Sequence, residues 1–204
     1  MELDIALFLG EDKMPRDAEP KILTDVLSNK DISMVKASVS NYKDFPFDDW
    51  FSRYTVNNEI NKDLDKAFNN LTSLARQTFN SKTLLPTYAL FSHYEGKNAR
   101  LHKHVDDNAC TYTIDLCLYQ KTPWGLWVEN KEYVLQENQA LAYYGNDQLH
   151  WRQQFPDKEN NQVAMIFFHF AEPDHWWFTK GPSYLSVIRG QMTEDQWILL
   201  NSVN

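Results

Sequence analysis

A change of hydrophobic period at Pro86 limits this chain to few folds. From about Asn57 to Phe79, apolar residues recur at steps of three and four, which predicts a helix with one apolar face. After Pro86, short β-prone segments alternate with turn residues such as Gly96 and Pro123. The predicted helical stripe comprises Ile60, Leu64, Ala67, Phe68, Leu71, Leu74, Ala75 and Phe79. The predicted strands are Thr87–Tyr94, Arg100–Asp106, Ala109–Tyr119, Gly125–Val128, Glu132–Leu135, Gln139–Tyr144, Leu149–Phe155 and Gln162–Phe170.

Many short strands after a helical segment are typical of two sheets packed face to face. We therefore predict a mainly β fold with flanking α-helices, built on a double-stranded β-helix (jelly-roll) core. Residues 1–204 are expected to form a single domain, in which 1–85 are a helical preface packing on the sheet, 86–171 the jelly-roll core and 172–204 a C-terminal tail. Smaller predicted features are a strand at Glu2–Leu9, a helix opening at Pro20 with Ile22, Leu23, Val26 and Leu27 on one side, a loop at Asn41–Asp49, and a final helix from Thr193.

The charge and hydropathy of the sequence argue against two kinds of binding partner, nucleic acid and membrane. The chain carries 28 acidic and 20 basic residues, a formal net charge of −8, which argues against nonspecific binding of nucleic acid. No apolar run approaches the roughly 20 residues that a membrane span needs. The start Met1–Asp4 lacks the basic segment of a signal peptide, so we expect a cytoplasmic protein with no membrane partner. Cys110 and Cys117 fall in one predicted strand on opposite faces, and we expect free buried thiols.

His104, Asp106 and, 44 positions after Asp106, His150 are candidate metal ligands. Residues i and i+2 of a strand point to the same side, so His104 and Asp106 can reach one ion while a later strand supplies His150. Two imidazoles and one carboxylate that leave coordination positions open are typical of non-haem Fe(II) sites. The alternative is a pair of surface histidines beside a solvated acidic run, Asp106-Asp107.

The sequence around these residues is similar to that of the Fe(II)/2-oxoglutarate-dependent oxygenases, nearest to their prolyl-4-hydroxylase-like branch. The resemblance covers roughly 86–170, and its order is more specific than any one part. The matching segments are Tyr94-Glu95-Gly96, then Leu101–Asp106, then Ala142-Tyr143-Tyr144-Gly145 before His150-Trp151-Arg152, and last Gln162–Phe170.

The resemblance implies that His104, Asp106 and His150 hold Fe(II), and that 2-oxoglutarate and O2 are co-substrates. It implies hydroxylation of a C–H bond with release of succinate and CO2. Retention of Asp106 favours hydroxylation over halogenation, because related halogenases lack this carboxylate. In the family, an Arg or Lys on the strand after the distal histidine meets the far carboxylate of 2-oxoglutarate. This chain departs from the pattern, because Gln162 stands at that place.

Arg152 is the candidate replacement for the missing cation. It lies two residues after His150, so in a strand it shares the inward face, and a guanidinium can grip a carboxylate with two hydrogen bonds. Tyr94 is a candidate hydroxyl donor to the same co-substrate, and Tyr88 a weaker one. The alternative for Arg152 is a salt bridge at the rim, which contributes little.

The remaining histidines and tryptophans have plainer interpretations. His102 is expected to share the strand face of His104, and its alternative interpretations are a fourth metal ligand and a substrate contact. A site kept open for oxygen argues against a further ligand. His93, His169 and His175 are expected to be core or surface residues. Trp127, Trp151 and the Trp176-Trp177 pair are expected to be packing groups, one of which lines a substrate pocket in an alternative interpretation.

Two rival functions stay open at this point. Gly96 followed by His102-x-His104 matches half of the signature of a cupin, a metalloenzyme that needs no 2-oxoglutarate, although the expected glutamate is missing. The second rival is a jelly-roll binding module without catalytic activity. For the oxygenase, the small size of the chain favours a small-molecule substrate such as an amino acid or a short peptide.

Overall fold

The computed structural model describes residues 18–156 and 161–181, so the strand expected at Glu2–Leu9 and the helix expected from Thr193 lie outside the described residues. Three α-helices are present in this part: α1 (Asn29–Ser38), α2 (Lys62–Thr78) and the short α3 (Trp176–Thr179). Short 3-10 turns occupy Tyr42–Asp44 and Asn108–Cys110. The strands are β1 (Lys21–Leu23), β2 (Phe47–Asp48), β3 (Arg53–Asn57), β4 (Leu85–Glu95), β5 (Leu101–His104), β6 (Tyr112–Gln120), β7 (Leu126–Val128), β8 (Lys131–Tyr133), β9 (Ala140–Tyr143), β10 (His150–Arg152) and β11 (Gln162–Ala171).

The strands form two antiparallel sheets that face each other. The seven-stranded sheet has the order β1-β9-β6-β11-β4-β3-β2, and the four-stranded sheet has the order β5-β10-β7-β8. From β4 to β11 the chain passes back and forth between the sheets, which is the jelly-roll arrangement that the sequence predicted. Each of the eight predicted strands is present, with shifted ends.

Two apolar cores follow from the alternation of side chains along the strands. The outer face of the large sheet packs on the helices, where Phe68 of α2 meets the rings of Phe168 and Phe170 of β11. The inner face packs against the small sheet, and Cys117, Met165 and Leu126 belong to this second core. The functional candidates described below line the inner core.

The long helix was predicted well except at its start. Asn61 caps α2 by accepting a hydrogen bond from the backbone N–H of Leu64 at 3.0 Å, and Asn57 belongs to β3. Ile60 therefore precedes the helix and is 74% exposed, outside the stripe to which the pattern assigned it.

The helix predicted at Pro20 is wrong. Lys21–Leu23 form β1, whose residues pair with β9, and the first helix begins only at Asn29. Asp25 has a positive φ (51°), which a right-handed helix cannot contain. Ser28 caps α1 by accepting a hydrogen bond from the backbone N–H of Asp31 at 3.1 Å. The segment Asn41–Asp49, predicted to be a loop, contains a 3-10 turn and the two-residue strand β2, which together take up five of its nine residues.

Both cysteines are free and buried, as predicted. The reason differs in part, because Cys110 lies in the 3-10 turn before β6 and Cys117 lies within the strand. None of the helices in the described part of the chain combines the length and the apolar character that a membrane span requires.

Candidate metal centre

The structure brings His104, Asp106 and His150 together. His104 ends β5, His150 begins β10, and the two residues are direct partners in the antiparallel pairing of these strands. Oδ1 of Asp106 lies 3.4 Å from Nε2 of His104 and 3.5 Å from Nε2 of His150. The three potential ligand atoms lie within 4.8 Å of one another, so one ion can contact all of them.

Backbone carbonyls orient both imidazoles. Nδ1 of His104 lies 2.7 Å from the carbonyl oxygen of His102, and Nδ1 of His150 lies 2.9 Å from that of Gln148. Because a carbonyl can only accept, each Nδ1 carries the proton that is donated, and each Nε2 faces Asp106. Such outer hydrogen bonds fix the ring orientation that a metal ligand needs.

The Asp106 carboxylate is held by the Tyr144-Gly145 turn. The backbone N–H of Asp106 donates to the carbonyl oxygen of Gly145 at 2.8 Å. A Cβ added to Gly145 would lie 2.5 Å from Oδ2 of Asp106 and 2.5 Å from Oγ1 of Thr113, so only glycine fits beside this carboxylate. Burial disfavours the charge on Asp106, but the adjacent His150 and His104 outweigh burial and hold its pKa well below its usual range.

The donor set fits a transition metal with open positions. Two imidazole nitrogens and one carboxylate supply three ligands from one side, which suits Fe(II) in a site that also binds co-substrates. The side chains of His104 and Asp106 are 16% and 18% exposed, whereas that of His150 is 3% exposed. The cluster therefore has one open side and one side buried in the inner core.

His102 does not share the face of His104. The β5–β10 pairing shifts between His150 and Arg152, and both His102 and Lys103 are exposed. The His102 ring packs 5.2 Å from the Trp50 ring, and within the described ranges His102 belongs to neither group of potential metal ligands. A His-x-His ligand pair of the cupin type is therefore not formed.

His169 is a residue near the site whose position the sequence analysis missed. It is 5% exposed, as expected of a core residue, but with Asp106 and Cys110 it forms a second group whose potential ligand atoms lie within 4.8 Å of one another. Its Nδ1 lies 3.1 Å from Oγ1 of Thr113, and burial lowers its pKa to about 4. Its place on β11 with Met165 on the inner face is the signal that could have found it.

The other two histidines have structural roles. His93 stacks on Tyr42 with ring centroids 3.5 Å apart, and its Nδ1 lies 2.7 Å from the hydroxyl of Tyr119. Nδ1 of His175 accepts from the backbone N–H of Trp177 at 3.2 Å and caps α3.

Arg152 lies deep in the inner core, so the interpretation as a rim salt bridge is wrong. The residue is 4% exposed, donates from Nη1 to the carbonyl oxygen of Trp124, and lies over the Trp124 ring with Cζ 5.0 Å from its centroid. Its Nε has no hydrogen-bond partner, and within residues 18–156 and 161–181 no carboxylate lies within 4.0 Å of it. A buried guanidinium without a counter-ion is costly, and a bound anion would remove that cost.

The two candidate tyrosines stand at opposite ends of the inner face of β4. Tyr94 is buried against Trp124, with ring centroids 5.1 Å apart, and its hydroxyl accepts from Nη1 of Arg53 at 3.0 Å. Tyr88, about 20 Å farther along an extended strand, places its hydroxyl 3.0 Å from Sγ of Cys110. Tyr94 thus neighbours the Arg152 end, and Tyr88 neighbours the metal end.

Asp115 is a second buried group that sequence reasoning missed. It lies on the inner face of β6, is 2% exposed, and accepts from the Tyr143 hydroxyl at Oδ2 over 3.1 Å. Its Oδ1 has no partner. Burial raises the pKa of Asp115 to about 7. An aspartate in the otherwise apolar run Ile114–Leu118 is the signal that could have found it.

A basic cavity of about 390 Å³ lies where β5 and β10 meet the turn after β4. Lys97, Arg100, Lys103 and Arg152 line it together with Trp151, and no acidic side chain does. Lys103 is held over the Trp151 ring at 4.7 Å. The cavity is therefore positive in a chain whose formal net charge is −8. Trp151 also stacks on Trp127, which fits the packing role expected of both.

Comparison with protein-family models and with curated protein sequences finds no match. Solved structures do match in fold. An oxidoreductase of the 2OG-Fe(II) oxygenase family from Burkholderia pseudomallei aligns with TM-score 0.60 and 9% identity, covering 76% of this chain and 85% of the other. HygX from Streptomyces hygroscopicus, with nickel, 2-oxoglutarate and hygromycin B bound, aligns with TM-score 0.60 and 7% identity over 76% and 83% of the two chains.

A prolyl hydroxylase from Trichoplax adhaerens, in complex with a peptide fragment of the hypoxia inducible factor oxygen degradation domain, aligns with TM-score 0.58 and 14% identity. The match covers 76% of this chain and 84% of that one. At these identities the likeness concerns the fold. The chain has the double-stranded β-helix fold of the 2OG-Fe(II) oxygenases, prolyl hydroxylases among them.

Proposed function

We propose that this protein is an Fe(II)- and 2-oxoglutarate-dependent dioxygenase that hydroxylates a small molecule. The observation that carries the proposal is the convergence of His104, Asp106 and His150 on one open point at the edge of a jelly-roll interior. The structural neighbours with 2-oxoglutarate and metal bound support the same cofactors, because they share this fold.

In this proposal the three side chains hold Fe(II), and the bound metal with 2-oxoglutarate and O2 supplies the oxidising power for C–H hydroxylation. The residues of the chain bind and orient. Nε2 of each histidine and the Asp106 carboxylate would hold the ion with three ligands and would leave coordination positions for co-substrates.

Arg152 binds the far carboxylate of 2-oxoglutarate in this proposal. Its guanidinium, of which Nε has no hydrogen-bond partner, lies on the inner face two residues after His150 and takes the role of the cation that the family carries on the next strand. The corresponding position at the start of β11 holds Gln162, which pairs with Glu95 at the end of β4. Tyr94 packs against Trp124 at the Arg152 end of the site, and the Tyr88 hydroxyl contacts Sγ of Cys110 at the metal end.

The basic cavity supports a substrate that carries a negative charge, such as the carboxylate of an amino acid or a short peptide. Lys97, Arg100 and Lys103 offer cations in a cavity that Arg152 also lines, and in the described ranges none of the three forms an ion pair. We expect Lys103→Gln to raise KM for such a substrate with little change in kcat. Lys66→Gln, on the exposed side of α2, is the matched control and should change neither constant.

The test follows succinate release with Fe(II), 2-oxoglutarate and O2 across a panel of amino acids and short peptides that includes acidic members. The proposal predicts substrate-dependent succinate formation that His104→Ala abolishes. Turnover that consumes O2 without any requirement for 2-oxoglutarate would refute the proposed reaction and favour the cupin-type alternative.

Metal retention separates the proposal from both rivals. His104→Ala should lose bound Fe(II), whereas His102→Ala should keep it, because His102 points away from the cluster. A cupin would lose metal in both variants. A binding module without catalytic activity would hold no Fe(II) in the wild type either. The cytoplasmic location stays a prediction.

A further inference from the structure

Resting on the function proposed above, we propose that Asp115 is a co-substrate contact. Its free oxygen Oδ1 forms a hydrogen bond with an oxygen of bound 2-oxoglutarate, between the metal end and the Arg152 end of the interior. Asp115 thereby selects for a ligand that presents a hydrogen-bond acceptor at this depth.

The position of Asp115 supports this contact. Its side chain lies on the inner face of β6, on the face that carries Cys117, and its cross-strand partners Phe167 of β11 and Leu141 of β9 are apolar. The titratable and charged groups that act on it are Tyr143 from β9, His150 and Arg152 from β10, and Asp106 from the segment after β5. These groups belong to both ends of the proposed co-substrate site.

The pattern of satisfied and unsatisfied atoms points the same way. The Tyr143 hydroxyl donates to Oδ2 at 3.1 Å, and Oδ1 has no partner, although the residue is 2% exposed. A buried polar atom in a native structure is nearly always paired, so an unpaired atom in this interior points to a missing ligand. Nε of Arg152 is orphaned in the same interior. One dianionic ligand between them would satisfy both.

Protonation decides the direction of the hydrogen bond. An ionised Asp115 would repel a dianion, whereas a neutral carboxyl group can donate its O–H to a ligand carboxylate. Because Tyr143 already donates to Oδ2, the proton belongs on Oδ1. Burial raises the pKa of Asp115 to about 7, so the neutral form is accessible near neutral pH. Above that pH, binding takes one proton from solvent, which Asp115 holds while the ligand is bound.

The test measures binding and not turnover. Fe(II)-loaded protein is titrated anaerobically with 2-oxoglutarate in a calorimeter at pH 8, in two buffers with different ionisation enthalpies, which reports both the Kd and the protons taken up. The wild type should take up close to one proton per ligand. Asp115→Asn keeps the size and a donor and needs no proton, so at pH 8, where about a tenth of the wild type is neutral, it should bind about tenfold more tightly than the wild type and without proton uptake. Asp115→Leu should bind about 10- to 100-fold more weakly than Asp115→Asn, the range for a hydrogen bond to a charged group.

Controls separate this contact from a structural role. Asp44→Asn, an exposed carboxylate in the first 3-10 turn, should behave as wild type. Fe(II) content and near-ultraviolet circular dichroism show that each variant is folded and loaded. Equal affinity in Asp115→Asn and Asp115→Leu, or equal proton uptake in the wild type and Asp115→Asn, would overturn the inference alone. Wild-type protein that binds Fe(II) but no 2-oxoglutarate would overturn the proposed co-substrate as well.

Discussion

Replacing Arg152 should separate co-substrate binding from metal binding. In the structure the guanidinium is 4% exposed, donates to one backbone carbonyl, and has no carboxylate within ion-pair distance in the described residues. If it receives the far carboxylate of 2-oxoglutarate, Arg152→Gln leaves that charge buried with one weak partner. Truncating one partner of a buried, hydrogen-bonded charge pair costs about 2–5 kcal/mol. This corresponds to a roughly 30- to 4000-fold higher Kd for 2-oxoglutarate.

The assay is anaerobic titration of Fe(II)-loaded protein with 2-oxoglutarate. Arg152→Lys keeps the charge but loses the two-pronged geometry, so its Kd should lie between those of the wild type and Arg152→Gln. Fe(II) affinity should be unchanged in both variants, because Arg152 does not belong to the metal cluster. Arg76→Gln, a partly buried arginine of α2 that donates to the carbonyl of Leu84, is the matched control and should bind 2-oxoglutarate normally. A Kd for Arg152→Gln within twofold of wild type would refute the assignment.

The remaining predictions concern metal binding and stability. Gly145→Ala should weaken Fe(II) binding at least tenfold in equilibrium dialysis, because the new methyl group would lie 2.5 Å from Oδ2 of Asp106; wild-type affinity would show that the turn yields freely. Burial raises the pKa of Asp115 in the folded protein to about 7, above the value of about 4 in the unfolded chain. The free energy of unfolding of the metal-free protein should therefore fall as the pH rises from about 4 to about 7. Asp115→Asn should remove this loss. In urea unfolding, the free energy of unfolding of the variant relative to that of the wild type should increase between pH 4 and pH 7, towards an upper limit of about 4 kcal/mol. A difference that does not change with pH would contradict the raised pKa. Phe68→Ala should lower the free energy of unfolding by about 3–5 kcal/mol, because its buried ring packs 5.6 Å from that of Phe168; a loss under about 1 kcal/mol would mean that the core closes over the gap.

Local patterns predicted the strands of the core because each strand is bounded by residues that favour turns. Segments such as Thr87–Tyr94 and Gln162–Phe170 differ from the observed β4 and β11 only at their ends. The same reasoning failed for Lys21–Leu23, where three residues are too few to show alternation. Their strand conformation depends on pairing with β9, more than 100 positions away. Pairing at such distance leaves no local signal.

At the candidate site, alternation placed some side chains correctly and others wrongly. Arg152 lies inward two residues after His150, as the rule predicts. His102 breaks the rule because the β5–β10 register shifts beside it. Asp106 lies beyond the end of β5, and its hydrogen bond to the carbonyl of Gly145, and not strand geometry, sets its position. Asp115 was within reach of the rule, since a charged residue in a buried strand requires an explanation.

The central claim is that one metal ion binds between His104, Asp106 and His150. Anomalous diffraction at the iron edge, from crystals grown anaerobically with Fe(II), tests it most directly. We predict a single strong peak bonded to Nε2 of both histidines and to the Asp106 carboxylate, absent from Asp106→Ala crystals. A peak at the neighbouring group of Cys110 and His169, or no peak in the wild type at saturating Fe(II), would contradict the claim.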